Sequence, residues 1–395
     1  MPAVYAFAII LSLFALGEII ATKTKAMIST VFVIVVLLMV GFWLGLPANI
    51  IGYAQITGIA LILASATIIS VGSSFDFKTL FIQWKTVIIA LGSALAGVLL
   101  IWLIGPFFLG RYTAFAAGSI FAGTQAAIMM FTEAFNQHGL YDLVPFLILV
   151  FATDNLVGIP VCSFVLRREA RRFINNPAAV AKYAHATTAI TGATPVVTQK
   201  RRLVTVPEIL NKPSGIFLRI VLVSALSWWV SDLTGGRLHF LVASLILGVV
   251  FGELGFLPND ALSKTQSYLI ITFIITVFIF GALSETTPTM LLQLIGPLAF
   301  TLGAGFAGVL IASVILGKLL HVSSWLAIGM GVSCSFGMPT TFIIPKEVAA
   351  EFGRTPVESQ AIENYLIPNM VTAGFVSVTI ASVFIAQFAL LYLFN

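Results

Sequence analysis

The chain has 395 residues, 59% of them hydrophobic and 9% charged, with a mean hydropathy of +1.08 and a formal net charge of +5. A soluble domain carries about 25% charged residues, so a water-soluble enzyme of this length is excluded and an integral membrane protein is expected. A pI near 9.2 in so apolar a chain reports membrane topology, not nucleic-acid binding.

The first apolar run, 3–21, has no basic leader and outlasts a signal-peptide core, so it reads as a spanning helix. Further runs of spanning length, about 17–25 residues, cover 26–45, 53–73, 86–108, 113–131 and 143–166. After an interruption they resume at 215–233, 238–257, 265–283, 294–317, 323–344 and 361–390. The interruption, 167–212, is the one long polar stretch and includes Lys200-Arg201-Arg202. It reads as a flexible or partly amphipathic connector without a core. The division expected is a membrane repeat over 1–166, a basic connector over 167–214 and a second repeat over 215–395. Cys162 and Cys334 lie in apolar stretches without metal spacing and read as packed thiols.

The two sides of the connector match. Residues 41–47 (GFWLGLP) correspond to 252–258 (GELGFLP), and 91–99 (LGSALAGVL) to 302–310 (LGAGFAGVL), both at an offset of 211. At an offset of 214, Gly123, Glu133, Gly139 and Asn155 fall on Gly337, Glu347, Gly353 and Asn369. Ordered landmarks across a whole half indicate duplication, which in a membrane protein points to a secondary transporter with its site near the midplane.

Charge decides the topology. If 113–131 and 323–344 dip in and return, each half has five crossings and the second half is inverted. Eighteen of the 20 Lys and Arg then lie on the connector side, with Arg111 and Arg237 opposite; if both stretches cross, the split is 13 to 7. The positive-inside rule selects the first arrangement. The fold class expected is thus an all-α polytopic membrane protein of about ten transmembrane helices in two inverted five-helix repeats. Each repeat holds a re-entrant or broken element, the connector is cytoplasmic, and both termini are outside.

The two elements read AGSIFAGTQA (117–126) and GMGVSCSFGMPTT (329–341). Irregular backbone at membrane depth survives only where protein or a watery cavity satisfies it, and Pro339 would break a continuous helix. Broken ends offer N–H groups to a carboxylate and C=O groups to Na⁺; close helix packing is the alternative use of small residues. Asp154, mid-segment in FATDNL, costs roughly 2.5–3.5 kcal/mol by insertion scales and must face an interior or cavity. Cation coordination or proton exchange would explain it, a structural hydrogen bond being the alternative. Asn155 and Asn369 could face each other at equivalent points of the halves, or bond neighbouring helices. Glu133 and Glu347 read as solvated or helix-end charges, and no histidine sits mid-span beside an acid or cysteine. Gly41/Gly45 and Gly248/Gly252 are GxxxG pairs that fit close helix contact. No catalytic triad, zinc spacing or nucleotide motif occurs, so no enzyme activity and no cofactor is expected.

These residues resemble a known family, the bacterial glutamate–sodium symporters and the related 2-hydroxycarboxylate transporters. The first stretch of similarity runs from 123–127 (GTQAA) through Gly139, Ala152-Thr153 and Leu156-Val157 to Gly158. The second runs from Gly329-Met330-Gly331 through Gly337, Pro339-Thr340, Val348 and Gly353 to Pro368. The resemblance implies two inverted five-helix halves, an elevator-type cycle, Na⁺ coupling and a homodimer formed through a scaffold built partly from 26–45 and 238–257. Asp154 stands where the family has uncharged residues, and no acid lies near Phe375-Val376-Ser377, which implies a rearranged cation site. The expectation is a Na⁺- or H⁺-coupled symporter of the inner (plasma) membrane for a small anionic or zwitterionic solute. Gly123, Thr124, Gln125, Gly337, Pro339, Thr340 and Thr341 would hold the substrate, and Asp154, Asn155 and Asn369 would serve the cation. A cation/proton antiporter without organic substrate is the nearest alternative, and a membrane regulator acting through the connector a further one.

Overall fold

The computed structural model describes residues 1–24, 29–75, 77–123, 125–184, 206–337 and 340–394, without the side chains of Thr22 and Glu285. Among the described residues there is no strand. The first half comprises α1 (Ala3–Lys23), α2 (Thr30–Trp43), α3 (Ile50–Tyr53), α4 (Thr57–Ser73), α5 (Phe77–Ile82), α6 (Trp84–Ile104), α7 (Pro106–Leu109), α8 (Arg111–Phe121), α9 (Gln125–Gln137) and α10 (Val144–Ile174). A short α11 (Pro177–Ala184) leads into the connector. The second half comprises α12 (Pro213–Leu233), α13 (Phe240–Glu253), α14 (Tyr268–Phe280), α15 (Pro288–Leu319), α16 (Ser324–Val332), α17 (Thr340–Phe352), α18 (Pro356–Phe375) and α19 (Ser382–Phe394). Six helical stretches are long and apolar enough to cross a membrane, starting at Ala3, Trp84, Tyr141, Pro213, Pro288 and Pro356.

Contacts recur between the halves with their roles exchanged. α8 packs on α6, α15, α10 and α19, whereas α16 packs on α15, α6, α18 and α10. Lipid is as apolar as leucine, so helices associate through close packing more than through the hydrophobic effect. Glycines supply that closeness at two crossings. Where α6 meets α15, a Cβ on Gly97 would lie 2.9 Å from Gly305 O, and one on Gly308 2.7 Å from Ala96 O. Where α4 meets α13, a Cβ on Gly248 would lie 2.6 Å from Ile69 O and one on Gly72 2.7 Å from Leu245 O. Gly248 and Gly252 therefore form a close helix contact. The Gly41/Gly45 pair does not: Gly45 lies beyond α2 in a turn with φ +105°, with nothing near its Cβ position.

Two large hydrophobic cores result, beside a small one that joins α1, α3 and α14. One joins α2, α4, α9, α12, α13 and α14; the other joins α6, α15, α16, α17 and α18. Three stretches pass from one to the other, and each does so at irregular backbone or a polar residue. α8 changes core between Ile120 and Phe121, at its end. α10 does so between Ala152 and Ile159, across Asp154 and Asn155. The third passage is the π-helical turn Val376–Ala381 that joins α18 to α19. Its Met370 and Ala373 approach lies in the second core; beyond it α19 touches both, with Ile385 in the second and Val383, Ala386 and Ala389 in the first.

Polar contacts sort the charges to two ends. Lys85 Nζ donates to Leu320 O at 3.0 Å, Ser323 Oγ donates to Glu169, and Arg167 pairs with Glu351, so these cations share an end with the connector. Arg111 donates to Tyr392 O at 3.1 Å and Gln387 Nε2 to Arg237 O at 2.7 Å, which puts both arginines beside the C-terminal end of α19. Arg219, counted in sequence with the connector cations, is buried in α12. It donates to Phe256 O at 2.6 Å and Leu210 O at 2.8 Å, stapling two loops.

α10 does not stop at residue 166. A buried stripe of Cys162, Leu166, Ala170 and Phe173 carries the helix to Ile174. α11 then docks on α18, where Asn364 Nδ2 donates to Tyr183 O at 2.8 Å and Tyr183 meets the Tyr365 ring edge-on at 5.2 Å. The start of the connector is thus packed on the membrane helices; residues 185–205 lie outside the described residues.

Candidate functional site

Both stretches read as re-entrant are broken helices. α8 ends because Phe121 plugs a notch: a Cβ on Gly97 would lie 2.9 Å from its ring and one on Gly305 2.5 Å, and Phe306 meets it edge-on at 5.2 Å. Gly123 closes the end, its N–H donating to Ile120 O at 2.9 Å. A side chain there would come within 2.6 Å of Ser119 O. The chain restarts at Gln125, whose Nε2 donates to Thr276 Oγ1 on α14 at 2.8 Å. Thr124, between them, lies outside the described residues.

The second break has the matching place. α16 seats Gly331 against Ser93 of α6 and Ser313 of α15, whose hydroxyls bond each other at 2.9 Å. After the 3₁₀ turn Ser333–Ser335, Gly337 takes φ +56°, a left-handed conformation suited to glycine. Its N–H donates to Ser333 O and its carbonyl accepts from Thr341 N–H, each at 3.1 Å. The Gly337 turn abuts Val378 of the π turn, and Thr341 abuts Gly374 of α18. Thr340 opens α17, and Pro339 lies outside the described residues.

Asp154 faces this second break. It is 1% exposed, and its Oδ1 is buried with no hydrogen-bond partner. One turn along α10, Gly158 presses on Ser335, and a Cβ there would lie 3.3 Å from Phe336. Cys334 is within electrostatic range of the Asp154 carboxyl. A buried polar atom left unpaired costs about 1–3 kcal/mol, so this carboxyl is held at a structural loss. The hydroxyls on the flanking segments are already engaged as donors. Thr153 Oγ1 donates to Leu149 O at 2.6 Å and Ser335 Oγ to Val332 O at 2.8 Å, leaving their oxygen lone pairs available. A carboxylate oxygen is a hard donor, and a buried one without a partner can take up a proton or a cation. Among the described residues no group of three or more His, Cys, Asp or Glu could hold a metal ion.

The two amides do not meet as expected. Asn155 Nδ2 donates to Phe151 O at 2.9 Å within its own helix. Asn369 accepts from Thr86 Oγ1 of α6 at 2.9 Å and donates to Tyr365 O at 2.8 Å. Asn155 is thus spent within its own helix and Asn369 ties α18 to α6, so neither amide bonds the other.

Three features were not read from sequence. Glu169, 3% exposed, accepts from Ser323 and, at 2.9 Å, from Tyr365 OH, joining α10, α16 and α18. Its signal was the continuing apolar stripe past residue 166. The π turn left no sequence signal. Glu133, read as a solvated charge, is 3.3 Å from His239 across α9 and α13. No protein-family model matches the chain, and no curated protein does.

Proposed function

We propose that the chain is a secondary transporter with ten crossings in two inverted halves, its connector cytoplasmic and its two broken elements forming the tips of a shared site. It couples a small carboxylate-bearing solute to Na⁺ or H⁺. The observation that carries this reading is Asp154, a buried carboxyl with an unpaired oxygen, set against a helix break where two hydrophobic cores meet. Such a group is retained for what it binds, since it weakens the fold that holds it. The breaks at Gly123 and Gly337, the five shorter apolar helices beside the six long ones (one of the five, Ser324–Ser335, being the broken α16 element), and the collection of cations at one end support the same reading. Glycine-close packing of α6 on α15 makes one block and of α4 on α13 another; relative movement of such blocks, with α10 and α18–α19 as the joints, gives alternating access.

The test is uptake of labelled dicarboxylates and amino acids into proteoliposomes, with and without Na⁺ and pH gradients. Cation-dependent uptake of one class is expected. Na⁺-dependent proton flux with no organic uptake would replace symport with antiport, and neither activity would end the transport reading.

A further inference from the structure

Each broken element continues into a helix that an ion pair ties to another part of the molecule, and the two ties differ in chemistry. On α17, Glu351 meets Arg167 of α10 at 3.0 Å. On α9, Glu133 Oε2 lies 3.3 Å from Nε2 of His239, at the entry to α13. A guanidinium stays charged throughout the physiological range, whereas imidazole is the side chain that changes charge between about pH 5 and 8. Protons can therefore alter one tie and not the other.

His239 is held in a defined pose. Its Nδ1 accepts from Leu241 N–H at 3.2 Å, capping α13, so the neutral ring carries its proton on Nε2, toward Glu133. Its backbone N–H donates to Gln387 Oε1 of α19 at 2.8 Å, and its ring stacks on Phe240 with centroids 4.7 Å apart. A cavity of about 460 Å³ opens beside the pair, lined by α9, α19 and the segment between α12 and α13. Both residues line it, although Glu133 Oε2 and His239 Nε2 themselves are buried. The other charged or titratable groups facing this cavity are His138 just past α9, Asp232 near the end of α12, and Arg237 from the α12–α13 segment; α19 contributes neutral Gln387. His138 is engaged elsewhere, its Nδ1 2.8 Å from Ala134 O and its ring stacked on Phe394.

We propose that Glu133 and His239 form a proton-operated latch between α9, which leaves the first break, and the α12–α13 segment. Protonation places a second N–H on Nδ1, which gives up the cap at Leu241. In exchange, the contact with Glu133, in which neither Oε2 nor Nε2 makes a hydrogen bond while the ring is neutral, becomes an ion pair. Acid at the end that carries Arg111 and Arg237 holds α9 in place, and loss of the proton loosens it. On the transport reading above, in which α9 shifts as the first break opens, the latch slows the cycle when that compartment is acidic. The Glu351–Arg167 tie at the other end has no such response.

The test uses full-length protein in lipid nanodiscs, spin-labelled through Asn136→Cys on α9 and Leu233→Cys on α12, both exposed positions. The native Cys162 and Cys334 are buried. Pulsed electron paramagnetic resonance distances are compared at about pH 5.5 and 8. The ratio of the short-distance population to the rest should rise about three- to five-fold in acid, the range a partly exposed ion pair supports. His239→Asn keeps a capping oxygen but cannot titrate, and Glu133→Gln removes the partner; both should give the alkaline distribution at either pH. Identical distributions at both pH values in the parent protein, or an unchanged acid response in either variant, would overturn the latch. The readout needs no substrate, so a failed uptake screen with an intact acid response removes the transport reading and leaves the latch standing.

Discussion

Replacing Asp154 with asparagine separates a functional carboxyl from a structural one. The substitution preserves shape and removes the charge. Oδ1 is buried without a hydrogen-bond partner, so no bond between folded elements is lost at that atom. An unpaired buried polar group costs about 1–3 kcal/mol, and the asparagine carries a similar polar load without an ionisable group. The variant should therefore unfold at the same temperature as the parent or a few degrees higher, when followed by intrinsic fluorescence or size-exclusion after heating in detergent. Uptake should meanwhile lose its dependence on the cation gradient. A structural carboxyl predicts the reverse, because deleting a bonded charged acceptor costs about 1.5–3 kcal/mol. A clear loss of thermal stability in Asp154→Asn, with unchanged Na⁺ and pH dependence of uptake, would refute the functional assignment.

Other substitutions test the packing beneath the site. Gly252→Leu should prevent α4 and α13 from closing, since even a Cβ there would lie 2.8 Å from Ser73 Cα. A cost of at least about 2 kcal/mol is expected from overpacking, seen as loss of monodisperse protein, whereas Gly303→Ala, with nothing near its Cβ position, should be silent. Gly337→Ala should cost about 1–2 kcal/mol for its left-handed backbone and force Val378 to shift from a Cβ 2.9 Å away, lowering uptake more than stability. Tyr365→Phe removes one of the donors to Glu169 and should lower the unfolding free energy by about 1.5–3 kcal/mol; an unchanged melting temperature would show that Ser323 alone satisfies the carboxylate. Deleting 185–205 should leave uptake intact, whereas a membrane regulator acting through the connector would lose its function.

Much of this organisation was legible in the one-dimensional pattern. Composition placed the chain in lipid, because nine per cent charge cannot coat a water-soluble surface. Glycine and proline landmarks located both helix breaks to within a few residues, since only small or ring-constrained residues tolerate the backbone there. Asp154 stood out because a carboxyl in the middle of an apolar run has no local partner. The basic stretch after residue 166 was harder to read, since four arginines hid the stripe of Cys162, Leu166, Ala170 and Phe173 that keeps α10 helical.

Local sequence thus determined where helices run, where they break and which carboxyl is out of place, because spanning length, helix breaking and charge burial are properties of short segments. The tertiary structure alone decided who meets whom. It turned Gly97, Gly305 and Phe121 into a joint, gave Asn369 to Thr86 and not to Asn155, and set Glu133 against His239, 106 residues away in the chain. Helix rotation and crossing geometry fix such pairings through the packing of whole faces, and no single segment encodes that packing.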